Sequence, residues 1–186
     1  MTEVSVYRRS EPFGSPICQG EIFSNVFQFR LKIESITGTN LEIERDIHDY
    51  VIVLSQDCDL EQDFHRPLEK RQLKDILFCS VKTAADLATR INNSNIWQRV
   101  SQNKDERYHF LQTVPISADL EEIGLPELGI DFKNYFTIPA TEFYKRLEIG
   151  EIKRRTVPLS PYMEQISDRF TYFLGRVALP QPHSSE

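Results

Sequence analysis

The sequence predicts an α+β fold, a small and strongly curved antiparallel β-barrel with an inserted helix and a C-terminal helix. Three observations carry that prediction. From Phe27 to Ile33 the chain alternates strictly, Phe27, Phe29, Leu31 and Ile33 on one parity and Gln28, Arg30 and Lys32 on the other, the pattern of a half-buried strand. Tyr50-Val51-Ile52-Val53-Leu54 is apolar on both parities and rich in β-branched residues, as befits a strand covered on both faces. Near the end, Ser160 and Pro161 precede a stripe of Tyr162, Ile166, Phe170, Phe173 and Val177. Ser160 caps a helix there, Pro161 fits its first position, and the stripe is its apolar face.

The remaining elements follow in chain order. Residues 1–17 and 181–186 carry the Pro- and Ser-rich pieces and are expected to be loose or peripheral. Turn residues at 36–40 lead to Leu41 and Ile43 alternating with Glu42 and Glu44, so a hairpin partner for the first strand is expected. Ile76-Leu77-Phe78-Cys79 reads as a strand. Leu87, Ile91 and Val100 recur around Trp97 at spacings that predict a helix over 84–100. Residues 107–111 and 135–138 read as further strands, giving about six in all, and Pro180 as the stop of the last helix. Consecutive short strands with helices inserted late point to a bent barrel. One domain over 1–186 is expected, with a barrel core at about 18–148, a C-terminal helix at about 160–177, and Phe29, Leu31, Ile52 and Leu54 in the core.

Composition narrows the function. A chain of 186 residues with 40% apolar and 27% charged side chains folds and buries a core. Its net charge of −6 gives no global field for nucleic acid and leaves only a local basic face. No run approaches the ~18 apolar residues of a membrane helix, and MTEVSVYRRSEPFG lacks the order of a secretory signal. The expectation is therefore a cytoplasmic protein with no membrane partner. Three widely spaced cysteines, Cys18, Cys58 and Cys79, suit neither a disulfide framework nor a paired-cysteine zinc module. There is no Gly-rich phosphate loop and no Gly-x-Ser-x-Gly elbow, which argues against a nucleotide-binding or hydrolase fold. No cofactor and no metal are expected.

The string from Ser55 to His65, including Gln56, Asp57, Cys58 and Asp59, is too polar for a core. If the preceding strand persisted, Asp57 and Asp59 would share a face about 7 Å apart and offer two oxygen ligands to Mg²⁺ or Mn²⁺, but no third ligand is evident. Alternatively Cys58 is a nucleophile with His65 or His109 as its base, against which the flanking carboxylates disfavour a thiolate. The plainest reading is an acidic loop closing a strand end, with Cys58 buried as a small apolar residue. The string resembles a Ser-Gln-x-Cys-Asp-Leu/Ile motif of bacterial proteins, which supplies no role.

Basic residues cluster twice, at Arg66, Lys70, Arg71 and Lys74 and at Lys145, Arg146, Lys153, Arg154 and Arg155. The second cluster lies near Tyr135, Phe136 and Tyr144, and charge with aromatic stacking is how single strands are held. A solvated face balanced by Glu148 and Glu151 is the competing reading.

Gly20-Glu21-Ile22-Phe23, Tyr50 to Ser55 and Ile76 to Thr83, read in order, resemble the PemK/MazF-like toxins, SH3-like barrels that cleave single-stranded RNA. Phe136 to Leu147 also resembles that family's late strand and helix ending in Arg-Leu, so the likeness spans about residues 18–148. The resemblance implies a catalytic Arg and Thr at positions held here by Asp49 and Lys82. Thr83 is one register away, on the opposite face of a regular strand, and only a bulge would restore it. The resemblance thus implies a barrel without the usual nuclease pair, a binding or regulatory module whose partner is a protein or single-stranded RNA, in a bacterial toxin–antitoxin or defence system. The alternative is a metal-independent endoribonuclease in which Arg45, His48, Lys82 or Thr83 replaces the missing residues. The stripe of the last helix is expected to dock on the barrel or on a second copy of the chain, as a homodimer.

Overall fold

The computed structural model describes residues 5–12, 14–32, 41–67 and 70–176. Seven antiparallel strands form one sheet in the order β1-β7-β2-β3-β4-β6-β5. They are β1 Tyr7–Arg9, β2 Ile22–Leu31, β3 Ile43–Val53, β4 Asp75–Thr83, β5 Tyr108–Leu111, β6 Leu128–Pro139 and β7 Lys153–Pro158. Five α-helices accompany them among the described residues: α1 Asp57–Phe64, α2 Ala84–Ile91, α3 Ser94–Ser101, α4 Ala140–Glu148 and α5 Tyr162–Leu174. The fold is α+β, as expected, with one strand more than expected.

The two faces of the sheet carry two cores. Ile52 and Cys79 join Phe132, Ile166 and Phe170 on one face, while Val51, Val53 and Phe78 join Leu60, Phe143 and Leu147 on the other. Helix α5 therefore covers one side and α1 and α4 the other. The doubly apolar run at 50–54 is covered on both parities: Val51, Ile52 and Val53 are fully buried, Leu54 nearly so, and Tyr50 partly.

The sheet curls so far that Tyr7 of β1 and Leu111 of β5, on its two edge strands, share one core. It does not close, because both edges are capped by side chains of the chain itself. The amide of Asn103 donates to the Phe110 carbonyl and accepts from its N–H, and the Ser5 hydroxyl does the same for Tyr7. Such capping spends the free backbone groups that edge-to-edge pairing would need. The Tyr7 hydroxyl crosses the seam to the Gln112 carbonyl at 3.0 Å.

Several expectations are corrected. The strands expected at 41–44 and 50–54 are one, β3, because Arg45 to Asp49 continues the extended pairing with β2. β2 starts earlier than expected, and its buried residues are Ile22, Phe23, Ser24, Val26 and Phe27, whereas Phe29 and Leu31 are 55% and 49% exposed. Ile33 and the turn at 36–40 lie outside the described residues. The single helix expected at 84–100 is two: Asn92 takes a left-handed φ of 45°, and Asn93 caps α3 by accepting from the Ile96 N–H. The N-terminal segment contributes β1 and is anchored through the Pro12, Ser15 and Pro16 carbonyls, which accept from Arg154. Helix α5 docks by Ile166, Phe170 and Phe173 on its own sheet, so the stripe is not free to bind a second copy. Tyr162 stays 45% exposed, and Val177 and Pro180 lie outside the described residues.

Candidate functional site

A cleft of about 430 Å³ opens where β3, β4 and β6 meet the end of α2. Its making is local. β6 leaves β4 between the pairs Val81–Ile130 and Cys79–Tyr135, so residues 131–134 stand opposite Ser80 as an extended bulge, a device that re-aims side chains. Asp131 holds the bulge. Its carboxylate accepts from the Lys133 N–H at 3.1 Å and the Asn134 amide at 3.2 Å, and it takes a two-pronged bond from the Arg107 guanidinium. Lys133 and Asn134 thereby line the cleft beside Tyr135 and Phe136.

His48 is at the centre. It is 7% exposed, its Nδ1 lies 3.1 Å from the Ser80 hydroxyl, and its ring stacks on Phe136. Its Nε2 is buried with no hydrogen-bond partner, 3.9 Å from the Asp46 carboxylate. Burial lowers the imidazole's pKa, with Lys82 and Arg30 adding to the effect and Asp46 and Asp49 opposing it. His48 is thus neutral at pH 7, with one ring nitrogen donating and the other accepting.

Around it stand Arg30, Lys82, Arg90 and Lys133. Arg30 pairs with Asp46 at 2.8 Å, and Lys82 reaches Asp49 only at 3.9 Å. Arg90 and Lys133 are exposed and make no ion pair among the described residues. The cleft is therefore cationic on a chain of net charge −6. Beyond Arg90 the surface falls into a second basin of about 610 Å³, which Arg90 also lines, together with Ile96, Arg99 and Tyr108.

Of the four candidate catalytic residues, the structure brings His48 and Lys82 together and takes the other two away. Arg45 lies over the rings of Phe27 and Phe29 at 4.6 and 5.9 Å. Thr83 is the N-cap of α2, accepting from the Asp86 N–H. Sequence reasoning missed Ser80, Arg30, Arg90, Lys133 and Asn134, which reach the cleft only through the tertiary fold.

The second basic cluster has a different place. Arg146, Arg154 and Arg155 are 7%, 4% and 4% exposed, which removes them from any surface that nucleic acid could touch. Arg154 pairs with the buried Glu21 at 2.7 Å and Arg155 with the buried Asp119 at 2.8 Å. Arg146 donates to the Phe27 carbonyl at 2.7 Å and pairs with Glu142. Lys145 pairs with Glu148 at 2.7 Å, and Lys153 is half-buried. In the first cluster, Arg71 lies over the Tyr144 ring at 5.0 Å.

The Gln56-Asp57-Cys58-Asp59 string starts helix α1 rather than continuing a strand, so Asp57 and Asp59 do not share a strand face. Asp57 accepts from the Gln19 N–H, tying the helix to the turn before β2. Cys58 is exposed, not buried. His65, seven residues on, ends the same helix, about 10 Å away along its axis, too far to serve Cys58 as a base. Among the described residues no three His, Cys, Asp or Glu side chains gather as a metal site, and no helix is long and apolar enough to cross a membrane. No protein-family model and no curated protein matches the chain.

Proposed function

We propose that the His48 cleft binds the phosphate backbone of single-stranded RNA, and that the chain is a binding or regulatory module built on a PemK/MazF-like, SH3-like barrel opened at one seam. The observation that carries this reading is the convergence of Arg30, Lys82, Arg90 and Lys133 on one cleft of an acidic chain. Tyr135, 48% exposed, offers a face on which a base stacks, and base stacking beside a cationic groove gives sequence-tolerant binding. A cytoplasmic bacterial toxin–antitoxin or defence setting belongs to the same proposal, since it rests on the resemblance. The test is retention of a labelled mixed oligoribonucleotide pool by the full chain. Single Lys82→Ala, Arg90→Ala and Lys133→Ala changes should each weaken retention severalfold, and equal retention by all of them would refute the reading.

The unpartnered Nε2 of His48 favours a second reading, metal-independent phosphodiester cleavage. In it the Nε2 lone pair takes the proton of a ribose 2′-hydroxyl, whose oxygen attacks phosphorus. A 2′,3′-cyclic phosphate forms, and the departing 5′-oxygen takes a proton from water. Lys82 and Arg90 would meet the added negative charge. RNA incubated with chelator decides between the two: cyclic-phosphate ends lost in His48→Ala support cleavage, and intact RNA supports the module.

A further inference from the structure

The seam where the sheet fails to close holds a further cavity, of about 190 Å³, between the edge strands and the first turn of α5. Drug-sized ligands occupy about 300–1,000 Å³, so this cavity suits one ring system. Its closed end is built from buried Tyr7, His109 and Leu111, and its mouth from exposed Gln112, Tyr162 and Gln165. No Asp, Glu, Lys or Arg lines it.

His109 is the unexplained group. It is 3% exposed, and its Nδ1 has no hydrogen-bond partner. Buried polar groups in folded proteins are paired, and an orphan marks a place for a missing partner. Burial and the nearby Arg169 push its pKa down to about 3, so the imidazole is neutral throughout the physiological range. The side-chain amides of Gln112 and Gln165 make no hydrogen bond among the described residues, whereas that of Asn103 is spent on Phe110.

We propose that this seam cavity binds a small uncharged heteroaromatic molecule of nucleobase type. A charged ligand would lose its hydration with no counter-charge. An aliphatic one would leave His109 unpaired and forgo the aromatic walls of Tyr7 and Tyr162. A flat ring with a donor–acceptor edge meets both needs: its face lies between the tyrosines and its edge reaches His109 and the glutamine amides. The site is separate from the His48 cleft and does not depend on how that cleft is used.

The test is a titration of the full chain, ¹⁵N-labelled at histidine, with uracil, cytosine and adenine, with benzoate as the charged control. The inference expects a saturable shift of the His109 ring nitrogens with at least one base and none with benzoate. It expects binding to weaken at least tenfold in His109→Leu, and likewise in Gln165→Trp, a change at the exposed mouth that leaves the core intact. No saturable shift with any base, benzoate binding as tight as a base, or unweakened binding in a folded Gln165→Trp protein would overturn it.

Discussion

The imidazole of His48 lies flat on the ring of Phe136, centroids 4.3 Å apart and planes 12° from parallel. Phe136 fixes the plane of the ring and Ser80, 3.1 Å from Nδ1, fixes its rotation. Removing the hydroxyl leaves both ring nitrogens unpaired, and an orphaned buried group costs about 1–3 kcal/mol. Ser80→Ala should therefore destabilise by that amount in urea unfolding, and by much less in a His48→Ala background. Equal costs in both backgrounds would show that the contact is incidental.

The pH dependence of stability follows from the two buried histidines. His48 is shifted down by burial, and His109 is shifted down to about 3 by burial and Arg169. Below the unfolded value of about 6.5, the unfolded chain takes up protons that the native chain refuses, so stability falls as pH drops from about 6.5 toward 3. Urea midpoints at pH 7.5, 5.5 and 4.5 should decline, and His109→Leu should flatten that decline. An unchanged slope in the variant would contradict the assignment.

Arg155 is an interior residue. It meets Asp119 through two 2.8 Å bonds, and Asp119 also accepts from the Gly124 N–H at 2.9 Å. Arg155→Met strands that buried carboxylate, and breaking a buried pair from one side costs about 3–5 kcal/mol. Lys145→Ala, at an exposed pair, should change stability by less than about 1 kcal/mol. A chemical denaturation series on the two variants checks the contrast, and a small effect for Arg155→Met would contradict its burial.

Ile52→Ala should cost about 2–5 kcal/mol, since Ile52 is fully buried, whereas Leu31→Ser should change little, since Leu31 is half exposed. Phe170→Asp should destabilise the chain without changing its sedimenting mass, because it puts a charge in the core beneath α5. A folded protein of altered mass would place the α5 stripe at an interface instead.

The contrast between Ile52 and Leu31 also marks what could be read in the sequence. A run apolar on both parities has one interpretation, and Val51 to Leu54 are buried as that composition demands. Strict alternation says only that a strand has two unlike faces. At Phe29 and Leu31 the apolar face is largely exposed, and nothing local distinguishes the two cases. The acidic string after β3 became a helix because Leu60 finds a place in the core, a tertiary contact its neighbours do not announce. Arg154 and Arg155 show the same limit. Their charge says surface, and only Glu21 and Asp119, remote in the chain, make them interior. His48 and Lys82 were within reach of sequence reasoning on β3 and β4, whereas Arg90 and Lys133 enter through the α2 end and the β6 bulge, neither of which a strand-by-strand reading supplies.

The central claim is that the cations around His48 neutralise RNA phosphates. Each phosphate neutralised on a single strand contributes about −0.7 to the slope of log K against log salt. The direct measurement is fluorescence anisotropy of a short labelled oligoribonucleotide over a salt series, with the wild-type chain and a Lys82→Ala, Arg90→Ala, Lys133→Ala triple variant. The account predicts wild-type binding that weakens steeply with salt and a triple-variant slope shallower by about 2. Identical slopes and affinities for the two proteins, or no salt-sensitive binding by the wild type, would contradict it.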